Sequence, residues 1–408
     1  MAIDNKDNKV LNVPHLRFPE FSGEWKMERL DKIATLSKGI GISKEQLSNG
    51  GEPCILYGEL YTKYKSEIIK EIYSKTDIDN SKLKKSKAND VIIPCSGETA
   101  VDIATARCVP FDNILLGGDL NVISLHQYDG AFMSYQLNGK RKYDIAKVAQ
   151  GVSVVHLYGE HLKTIKTCNP TLQEQKKIAK LLSLLDERIA TQNKIIEKLQ
   201  SLIKGLNDSL YKQYGNAITT SFSDFGYSYS GLSGKSADDF GSGKPFITYL
   251  NVYSNNVVDE NDYQYVCINE EEKQNVVKYG DVLFTLSSET PEEVGVGSVY
   301  LGKEEVYLNS FCFGIHIENT RLAYSPYLSY YVASTPFRKF IYPFAQGSTR
   351  FNLCKADFEK ASIKLPSLEN QKHIYAVLSR ITEKTETERT LLRHYTTQKQ
   401  YLLRQMFI

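Results

Sequence analysis

Three short polar loops occur twice in this chain, and their residue types suit hydrogen bonding to nucleic-acid phosphates or base edges. Glycine lets a backbone approach a partner closely, while Ser, Thr and Gln side chains supply donors and acceptors. The alternative is that these segments are turns preserved for folding alone. The paired loops are Lys38-Gly39-Ile40-Gly41 with Ser230-Gly231-Leu232-Ser233, Ser96-Gly97-Glu98-Thr99 with Ser287-Ser288-Glu289-Thr290, and Gln150-Gly151-Val152-Ser153 with Gln346-Gly347-Ser348-Thr349.

Arg350 directly follows the last of these loops and supports a sharper hypothesis. Its guanidinium can donate to both acceptors of a guanine edge, and the equivalent residue of the first copy is Val154. Tyr57 and Tyr249 are candidates for stacking on bases, although most of the 27 tyrosines must serve packing or the surface. The predicted nucleic-acid-binding residues are Lys38, Gly39, Tyr57, Ser96, Glu98, Thr99, Gln150, Gly151, Gly231, Tyr249, Ser287, Ser288, Gln346, Gly347, Ser348, Thr349 and Arg350.

Few groupings in the chain could catalyse a reaction. Asn169-Pro170-Thr171-Leu172 is the nearest approach to the Asn/Asp-Pro-Pro-Tyr/Phe motif of amino-methyltransferases, and it is better explained as a helix start. The segment Gly231–Ser236 imitates a phosphate-binding loop, but the first glycine of that loop is replaced by Tyr229. His156 and His161 lack the spacing of a zinc-protease helix. The sequence therefore predicts a non-catalytic protein with no metal site and no cofactor of its own.

The polar loops belong to a tandem duplication of a domain-sized unit. Before a proline in each copy, short apolar runs between Gly, Asn and Asp clusters predict strands and turns. After each proline, a long helix is predicted. The segments that return 196 residues later are Ala149-Gln150-Gly151 as Ala345-Gln346-Gly347, Pro170 as Pro366, and Gln175-Lys176 as Gln371-Lys372.

The two predicted helices carry the heptad spacing of a coiled coil. The first begins at a capping box, Thr171-Leu172-Gln173-Glu174, and extends to Tyr214 over about 64 Å. The few residues before Phe222 cannot carry the chain back over that distance, so the helices should be antiparallel. A generic dimerisation coil is the alternative, but the duplication favours a spacer within one chain. The predicted seam is Ile178, Leu182, Leu185, Ile189, Ile196, Leu199, Ile203, Leu206, Leu210, Ile374, Leu378, Ile381, Leu392, Tyr395, Leu402 and Met406.

These elements predict an α+β fold. Two strand-rich domains, related by a pseudo-twofold axis, should lie at opposite ends of a long antiparallel two-helix coiled coil. The predicted segments are an N-terminal arm at 1–24, a first domain at 25–168, a central helix at 169–215, a second domain at 216–364 and a C-terminal helix at 365–408.

Several segments, in this order, carry a family resemblance. They are Pro14-His15-Leu16-Arg17-Phe18-Pro19-Glu20-Phe21 with Gly23 and Trp25, then Pro170-Thr171-Leu172-Gln173-Glu174-Gln175-Lys176-Lys177-Ile178-Ala179, then Gly347-Ser348-Thr349-Arg350-Phe351-Asn352-Leu353. Over nearly its whole length the chain resembles a specificity subunit of type I restriction-modification systems. The second copy departs from the family pattern, because it lacks the complete Leu-Arg-Phe-Pro-Glu-Phe segment and has Ser367-Leu368-Glu369-Asn370-Gln371 after its proline.

The resemblance implies a non-catalytic subunit with two target recognition domains, each reading one half of a split double-stranded DNA sequence. The helices would set the spacing and dock two modification (methyltransferase) subunits, with restriction (translocase/nuclease) subunits as further partners. S-adenosylmethionine, ATP and magnesium would be bound by those partners. Two other classes remain as alternatives: a structural adaptor that binds proteins without reading sequence, and an enzyme that fuses specificity and methyltransferase modules.

Composition agrees with this interpretation. The net charge of +2 is low for a DNA-binding protein, so either the second half concentrates its basic groups on one face or partner subunits neutralise much of the phosphate charge. No apolar run is long enough to span a membrane. Seven cysteines without a C-x-x-C pair predict reduced thiols and a cytoplasmic location.

Overall fold

The computed structural model describes residues 11–408, which form two compact units. Residues 1–10, part of the predicted arm at 1–24, lie outside the described residues. Unit 1 contains the chain up to Asn193 together with Thr390–Ile408, and unit 2 contains Lys194–Arg389. Each unit has its own sheets and includes a segment of each of two long helices. The predicted α+β class, with two strand-rich units and two long helices, is confirmed.

The two long helices span Leu172–Tyr214 and Leu368–Gln405. The predicted extent of the first helix is therefore confirmed. A hydroxyl group caps each start, because Oγ1 of Thr171 and Oγ of Ser367 accept hydrogen bonds from the backbone amides three residues later, at 3.4 and 3.3 Å. These caps satisfy amides that have no partner inside the helix.

The N-terminal arm is attached to the start of the first long helix through Glu174. This side chain is fully buried, and its carboxylate accepts from Nε and Nη2 of Arg17, both at 2.8 Å, and from Nε1 of Trp25 at 3.3 Å. The predicted capping box is therefore only half formed, because the glutamate holds the arm rather than the helix start. The amide of Leu16 also donates to the carbonyl of Gln405 at 2.9 Å, so the arm contacts the end of the second long helix.

Within each unit, the two helix segments are antiparallel. In unit 1, the arm joins the start of the first helix to the end of the second, and further along the first helix Asp186 accepts from Nζ of Lys399 at 2.6 Å. In unit 2, the hydroxyl of Tyr211, near the end of the first helix, donates to the carbonyl of Lys364 at 2.9 Å, just before the second helix begins.

All the predicted seam residues are buried or partly buried. In unit 1 the seam joins a cluster around Trp25 and Phe132, and in unit 2 it joins a cluster around Phe222 and Phe284. The buried seam residues are Ile178, Leu182, Leu185, Ile196, Ile374, Leu378, Leu402 and Met406. The partly buried ones are Ile189, Leu199, Ile203, Leu206, Leu210, Ile381, Leu392 and Tyr395.

Each unit contains a four-stranded antiparallel main sheet with the same strand order. Successive residues of one inner strand pack into different hydrophobic clusters, as Val91 and Ile92 do in unit 1 and Val282 and Leu283 in unit 2. Both faces of each main sheet are therefore covered, which explains the continuous apolar runs. The strands, in sheet order, are Ala34–Lys38, Leu120–Leu125, Asp90–Pro94 and Arg107–Val109 in unit 1, and Gly226–Ser230, Cys312–Ile317, Val282–Thr285 and Gly297–Val299 in unit 2.

A second sheet in each unit contains one parallel strand pair. Cys54 pairs with Leu115 in unit 1, and Phe246 pairs with Tyr307 in unit 2. The extra strands in unit 1 show where the copies have diverged. The strands, in sheet order, are Leu47–Ser48, Ser74–Thr76, Glu52–Ile55, Leu115–Leu116 and Lys84–Lys85 in unit 1, and Tyr263–Val266, Phe240–Ile247 and Tyr307–Leu308 in unit 2.

A two-stranded ribbon closes each unit next to a long helix. In unit 1, Lys26–Arg29 pairs with Lys166–Asn169, and in unit 2, Ile218–Thr220 pairs with Ile363–Leu365. The strands that begin and end each strand-rich region are therefore hydrogen-bonded neighbours.

Short helices cover the sheets, and among residues 11–408 no helix is both long and apolar enough to cross a membrane. The short α-helices are Leu30–Ile33, Glu59–Thr62, Ala100–Ile103, Gly130–Asn138, Lys142–Val148 and Gly159–Lys163 in unit 1, and Phe222–Phe225, Tyr249–Ser254, Ser325–Tyr331, Thr335–Ile341 and Lys355–Lys360 in unit 2. The 3-10 helices are Lys44–Gln46, Ala237–Asp239, Pro291–Glu293 and Tyr342–Phe344.

The duplicated glutamine after each proline joins a long helix to its strand-rich region. In unit 1, Nε2 of Gln175 donates to the carbonyl of Pro170 at 2.8 Å, and Oε1 accepts the amide of Asp129 at 2.9 Å. In unit 2, Nε2 of Gln371 donates to the carbonyls of Pro366 and Leu322, both at 2.9 Å. Its Oε1 accepts the amide that precedes the helix Ser325–Tyr331, at 2.8 Å. The repeat preserves this residue because it satisfies backbone groups on both sides of the junction.

Candidate nucleic-acid interface

A small sheet, called here the tip sheet, brings two of the duplicated loops together in each unit. In unit 1 it consists of Ser96–Gly97 paired with Val155–His156, which also forms a bridge to Gln150. In unit 2 it consists of Ser287–Ser288, Phe351–Leu353 and Ala345–Gln346.

The register of the tip sheet aligns three polar residues across its strands. His156 is directly opposite both Ser96 and Gln150 in unit 1. Asn352 is directly opposite both Ser287 and Gln346 in unit 2. Directly opposite residues project from the same face of a sheet, so each unit presents a row that reads Ser, His or Asn, and Gln. We call this the polar row.

A tight turn next to the polar row requires glycine in both units. Gly151 has φ +120° and Gly347 has φ +141°, and a Cβ at either position would lie 2.1 Å from the carbonyl oxygen of Val154 or Arg350. The two turns therefore have the same shape. The residues that they expose differ, since the turn of unit 1 carries Val152, which is 97 % exposed, and the turn of unit 2 carries Ser348 and Thr349.

A tyrosine hydroxyl anchors the backbone of each tip sheet. Tyr61 donates to the carbonyl of Ser96 at 2.9 Å, and Tyr249 donates to the carbonyl of Ser287 at 2.8 Å. Burial raises the pKa of both phenols, so they remain protonated donors. Tyr57, the other tyrosine predicted to stack on bases, does not make this bond, and in unit 1 the anchoring role belongs to Tyr61, about one helical turn later.

Charged and aromatic residues surround the tip sheet of unit 1. Nζ of Lys38 lies 5.8 Å from the ring centre of Tyr158. Oγ of Ser96 lies between Nδ1 of His156, at 3.4 Å, and Oδ2 of Asp119, at 3.5 Å. In a hydrolytic triad the histidine lies between the serine and the carboxylate, so this arrangement is not a triad. Across residues 11–408, no group of three or more His, Cys, Asp or Glu side chains is placed to hold a metal ion.

Arg350 extends from the tip sheet of unit 2 and is exposed. Its guanidinium carbon lies 5.9 Å from the ring centre of Phe311, whose side chain is itself 55 % exposed. This contact supports the arginine without neutralising its charge, so the donors stay available to an acceptor.

For some predicted residues the structure supplies a folding role. A Cβ on Gly39 would lie 1.9 Å from the carbonyl oxygen of Gly117, and a Cβ on Gly231 would lie 2.0 Å from that of Asn309. Both glycines therefore permit a close approach of two backbones within the fold, and Gly231 is buried. Oγ1 of Thr99 accepts the amide of Asp102 at 3.0 Å and caps a short helix.

The remaining predicted residues differ in how accessible they are. Ser287 and Ser288 are buried, so in unit 2 the serine of the polar row is not accessible to a partner, although it shares a face with Asn352. DNA contact by any of the predicted residues stays a prediction. The exposed residues are Lys38, Tyr57, Glu98, Gln150, Gly151, Gln346, Gly347, Ser348, Thr349 and Arg350.

Sequence reasoning missed the middle residues of the polar row. His156 and Asn352 are separated by the same 196 residues as Gln150 and Gln346. They lie a few residues beyond the duplicated loop, and because their types differ the repeat itself does not mark them. Only the strand pairing shows that they share a face with the serine and glutamine that occur in both units.

Comparison with known proteins supports the family assignment. The family described as type I restriction modification DNA specificity domain matches residues 22–201 and 232–394. The specificity subunit of type I restriction enzyme MjaVIII from Methanocaldococcus jannaschii is 27 % identical over 210 residues, which are 50 % of this chain and 45 % of that protein. The match thus spans less than half the length of that relative.

Two solved structures resemble the fold. The S subunit of a type I restriction-modification system from M. genitalium gives a TM-score of 0.60 at 15 % identity, covering 97 % of this chain and 99 % of that chain. A structure described as explaining assembly and conformational transition of the type I system gives 0.56 at 15 % identity, covering 93 % and 96 %. Because the family match includes both copies of the repeat, and each copy forms a strand-rich unit with segments of long helix, this chain belongs to the type I restriction-modification DNA specificity family.

Proposed function

We propose that this chain is a DNA-reading specificity subunit, in which the recognition domains at 25–168 and 216–364 each read one half of a bipartite double-stranded target. The observation that carries the proposal is the polar row, which occurs once in each unit, on the tip sheet. Polar side chains held in a fixed register can match donors and acceptors on base edges. Two such surfaces in one chain suit a target with two separate halves.

The chemistry would belong to partner subunits. Two modification subunits would dock on the helices at 169–215 and 365–408 and would methylate one adenine in each half-site after flipping it out of the duplex. Modification and restriction subunits would bind S-adenosylmethionine, ATP and magnesium. This chain would contribute no catalytic group, and the complex would act in the cytoplasm.

The low net charge predicts weak DNA binding by this chain alone. Most non-specific affinity comes from phosphate neutralisation by Lys and Arg, and a net charge of +2 leaves that role largely to the partners. The chain would then supply discrimination between sequences more than affinity.

The direct test is to co-express the chain with a cognate modification subunit in a methylation-deficient host and to map methyladenine by single-molecule sequencing. A split motif with one methylated adenine on each strand is the expected result. An assembled complex that methylates no preferred sequence would contradict the proposal and favour a protein-binding adaptor. Methylation by the chain alone would instead favour a fused enzyme.

The helices should also set the distance between the half-sites. Insertion of the same number of helical residues into both long helices should lengthen the run of unread base pairs, because each residue adds about 1.5 Å to a helix. A complex that still methylates only the original spacing would refute this role.

A further inference from the structure

We infer that the middle residue of the polar row, His156 in unit 1 and Asn352 in unit 2, determines which base each unit reads at one position of its half-site. The inference rests on the proposed function and extends it to a particular residue pair. The flanking serine and glutamine are of the same type in the two units, so the middle residue is the position at which the two polar rows differ.

The position of the middle residue in its strand supports the inference. His156 is in the strand that pairs with Ser96–Gly97 and forms a bridge to Gln150, and Asn352 is in the strand that pairs with both other strands of the tip sheet in unit 2. Both residues are exposed. The same strands also contribute the buried Val155 and Leu353 to the unit cores. Alternation along a strand places the middle residue on the solvent side of a strand whose other side is fixed by packing.

The backbone around the middle residue is held rigidly, which also supports the inference. In unit 1, the amide of Gln150 donates to the carbonyl of His156 at 2.9 Å, and the amide of His156 donates back to the carbonyl of Gln150 at 2.7 Å. The tyrosine anchor and the glycine turn hold the neighbouring segments in the same way in both units. A side chain that projects from the tip sheet therefore has its position largely set before binding, which favours discrimination between bases.

The hydrogen-bonding groups of Asn352 and His156 indicate what each side chain would read. The amide of Asn352 carries a donor and an acceptor side by side, which matches the N6 donor and N7 acceptor of adenine. A neutral imidazole has its donor and acceptor on different ring nitrogens, and Nδ1 of His156 faces Oγ of Ser96 at 3.4 Å. His156 thus offers one nitrogen, Nε2, to a base. The row of unit 2 should read adenine, and the row of unit 1 should make a single hydrogen bond.

The test exchanges the two residues one at a time in the full chain, co-expressed with the modification subunit. His156→Asn should shift the half-site of unit 1 towards adenine at one position. Asn352→His should weaken the adenine preference of unit 2 at one position by about 5- to 150-fold, the range for one bidentate base contact. In each case the other half-site should not change. Lys75→Ala and Tyr265→Ala, at exposed positions on the second sheets, are matched controls that should leave the motif unchanged.

The outcomes separate this inference from the proposed function. A wild-type complex without any motif would defeat the proposed function and this inference with it. A wild-type motif that both exchanges leave unaltered would overturn the inference alone. Uniformly reduced methylation of an unchanged motif would also overturn it, because it would assign these residues to general positioning. Thermal melting of each purified variant checks that the fold is retained.

Discussion

The glutamine at the start of each long helix provides a prediction that can be tested twice in one molecule. Gln175 and Gln371 are buried, and each satisfies backbone groups on both sides of the junction between helix and strand-rich region. Substitution by Ala should leave those groups without partners, and an unpaired buried group destabilises by about 1–3 kcal/mol. Some of the groups are partly buried, so water recovers part of this loss. We expect each substitution to lower the free energy of unfolding by about 2–4 kcal/mol.

The two copies should not respond equally. Gln371 makes one more hydrogen bond than Gln175, to the carbonyl of Leu322 at 2.9 Å, so Gln371→Ala should be the more destabilising change. Gln371→Glu keeps the oxygen acceptor and loses the amide donor. It should therefore free the carbonyls of Pro366 and Leu322 while the amide of Tyr324 stays bonded.

Urea unfolding measures the size of the effect, and hydrogen exchange locates it. Exchange at the amide of Asp129 should accelerate in Gln175→Ala, and exchange at the amide of Tyr324 should accelerate in Gln371→Ala. Lys176→Ala is the matched control for the first site, because this exposed neighbour should change stability by less than about 0.5 kcal/mol. Glutamine variants that match this control in both assays would refute the reasoning.

Three further predictions concern the arm, the thiols and the turn. Glu174→Ala should lower the free energy of unfolding of unit 1 by about 3–5 kcal/mol, because it leaves the largely buried Arg17 without its carboxylate partner. In chemical denaturation the equivalent substitution in the second copy, Asn370→Ala, should be nearly neutral. Equal destabilisation by the two substitutions would contradict this prediction. Exposed Cys267 should react rapidly with a thiol reagent at pH 8, whereas Cys54, whose pKa burial raises to about 11, should react only on unfolding; rapid labelling of Cys54 in the native protein would count against its burial. Gly151→Ala should distort the turn of unit 1 and reduce methylation of one half-site motif, and a wild-type methylation pattern would show that the turn tolerates a side chain.

The duplication and the two long helices could be predicted from the sequence alone. The duplication and heptad spacing identified both long helices, and the paired proline and glutamine marked the equivalent junctions. These features depend on short-range spacing or on repetition, both of which a single sequence displays. The hydrogen-bonding partner of the Glu174 carboxylate could not be predicted, because Arg17 lies 157 residues away in the sequence and competes with the local helix cap.

The candidate interface was only partly accessible for the same reason. The sequence singled out Ser96 and Gln150 separately, but their common neighbour His156 emerged only from strand pairing across 60 residues. For Gly39 and Gly231 the sequence allows either close approach to nucleic acid or a role in folding alone, and the structure supplies a folding role through close backbone packing. The sequence singled out Tyr57 as an aromatic residue, whereas Tyr61 is the tyrosine that anchors the tip sheet.

The closing ribbon of each unit has a consequence for how a strand-rich region could be exchanged. Antiparallel neighbours are only about 4.5–5.5 Å apart between Cα atoms, so Lys26–Arg29 and Lys166–Asn169 bring the two ends of one strand-rich region together, as Ile218–Thr220 and Ile363–Leu365 do for the other. A segment whose ends meet can be excised and replaced without stretching the chain on either side. Each strand-rich region could therefore be replaced as a unit while the long helices keep their sequence, and under the proposed function such a replacement would change one half of the target.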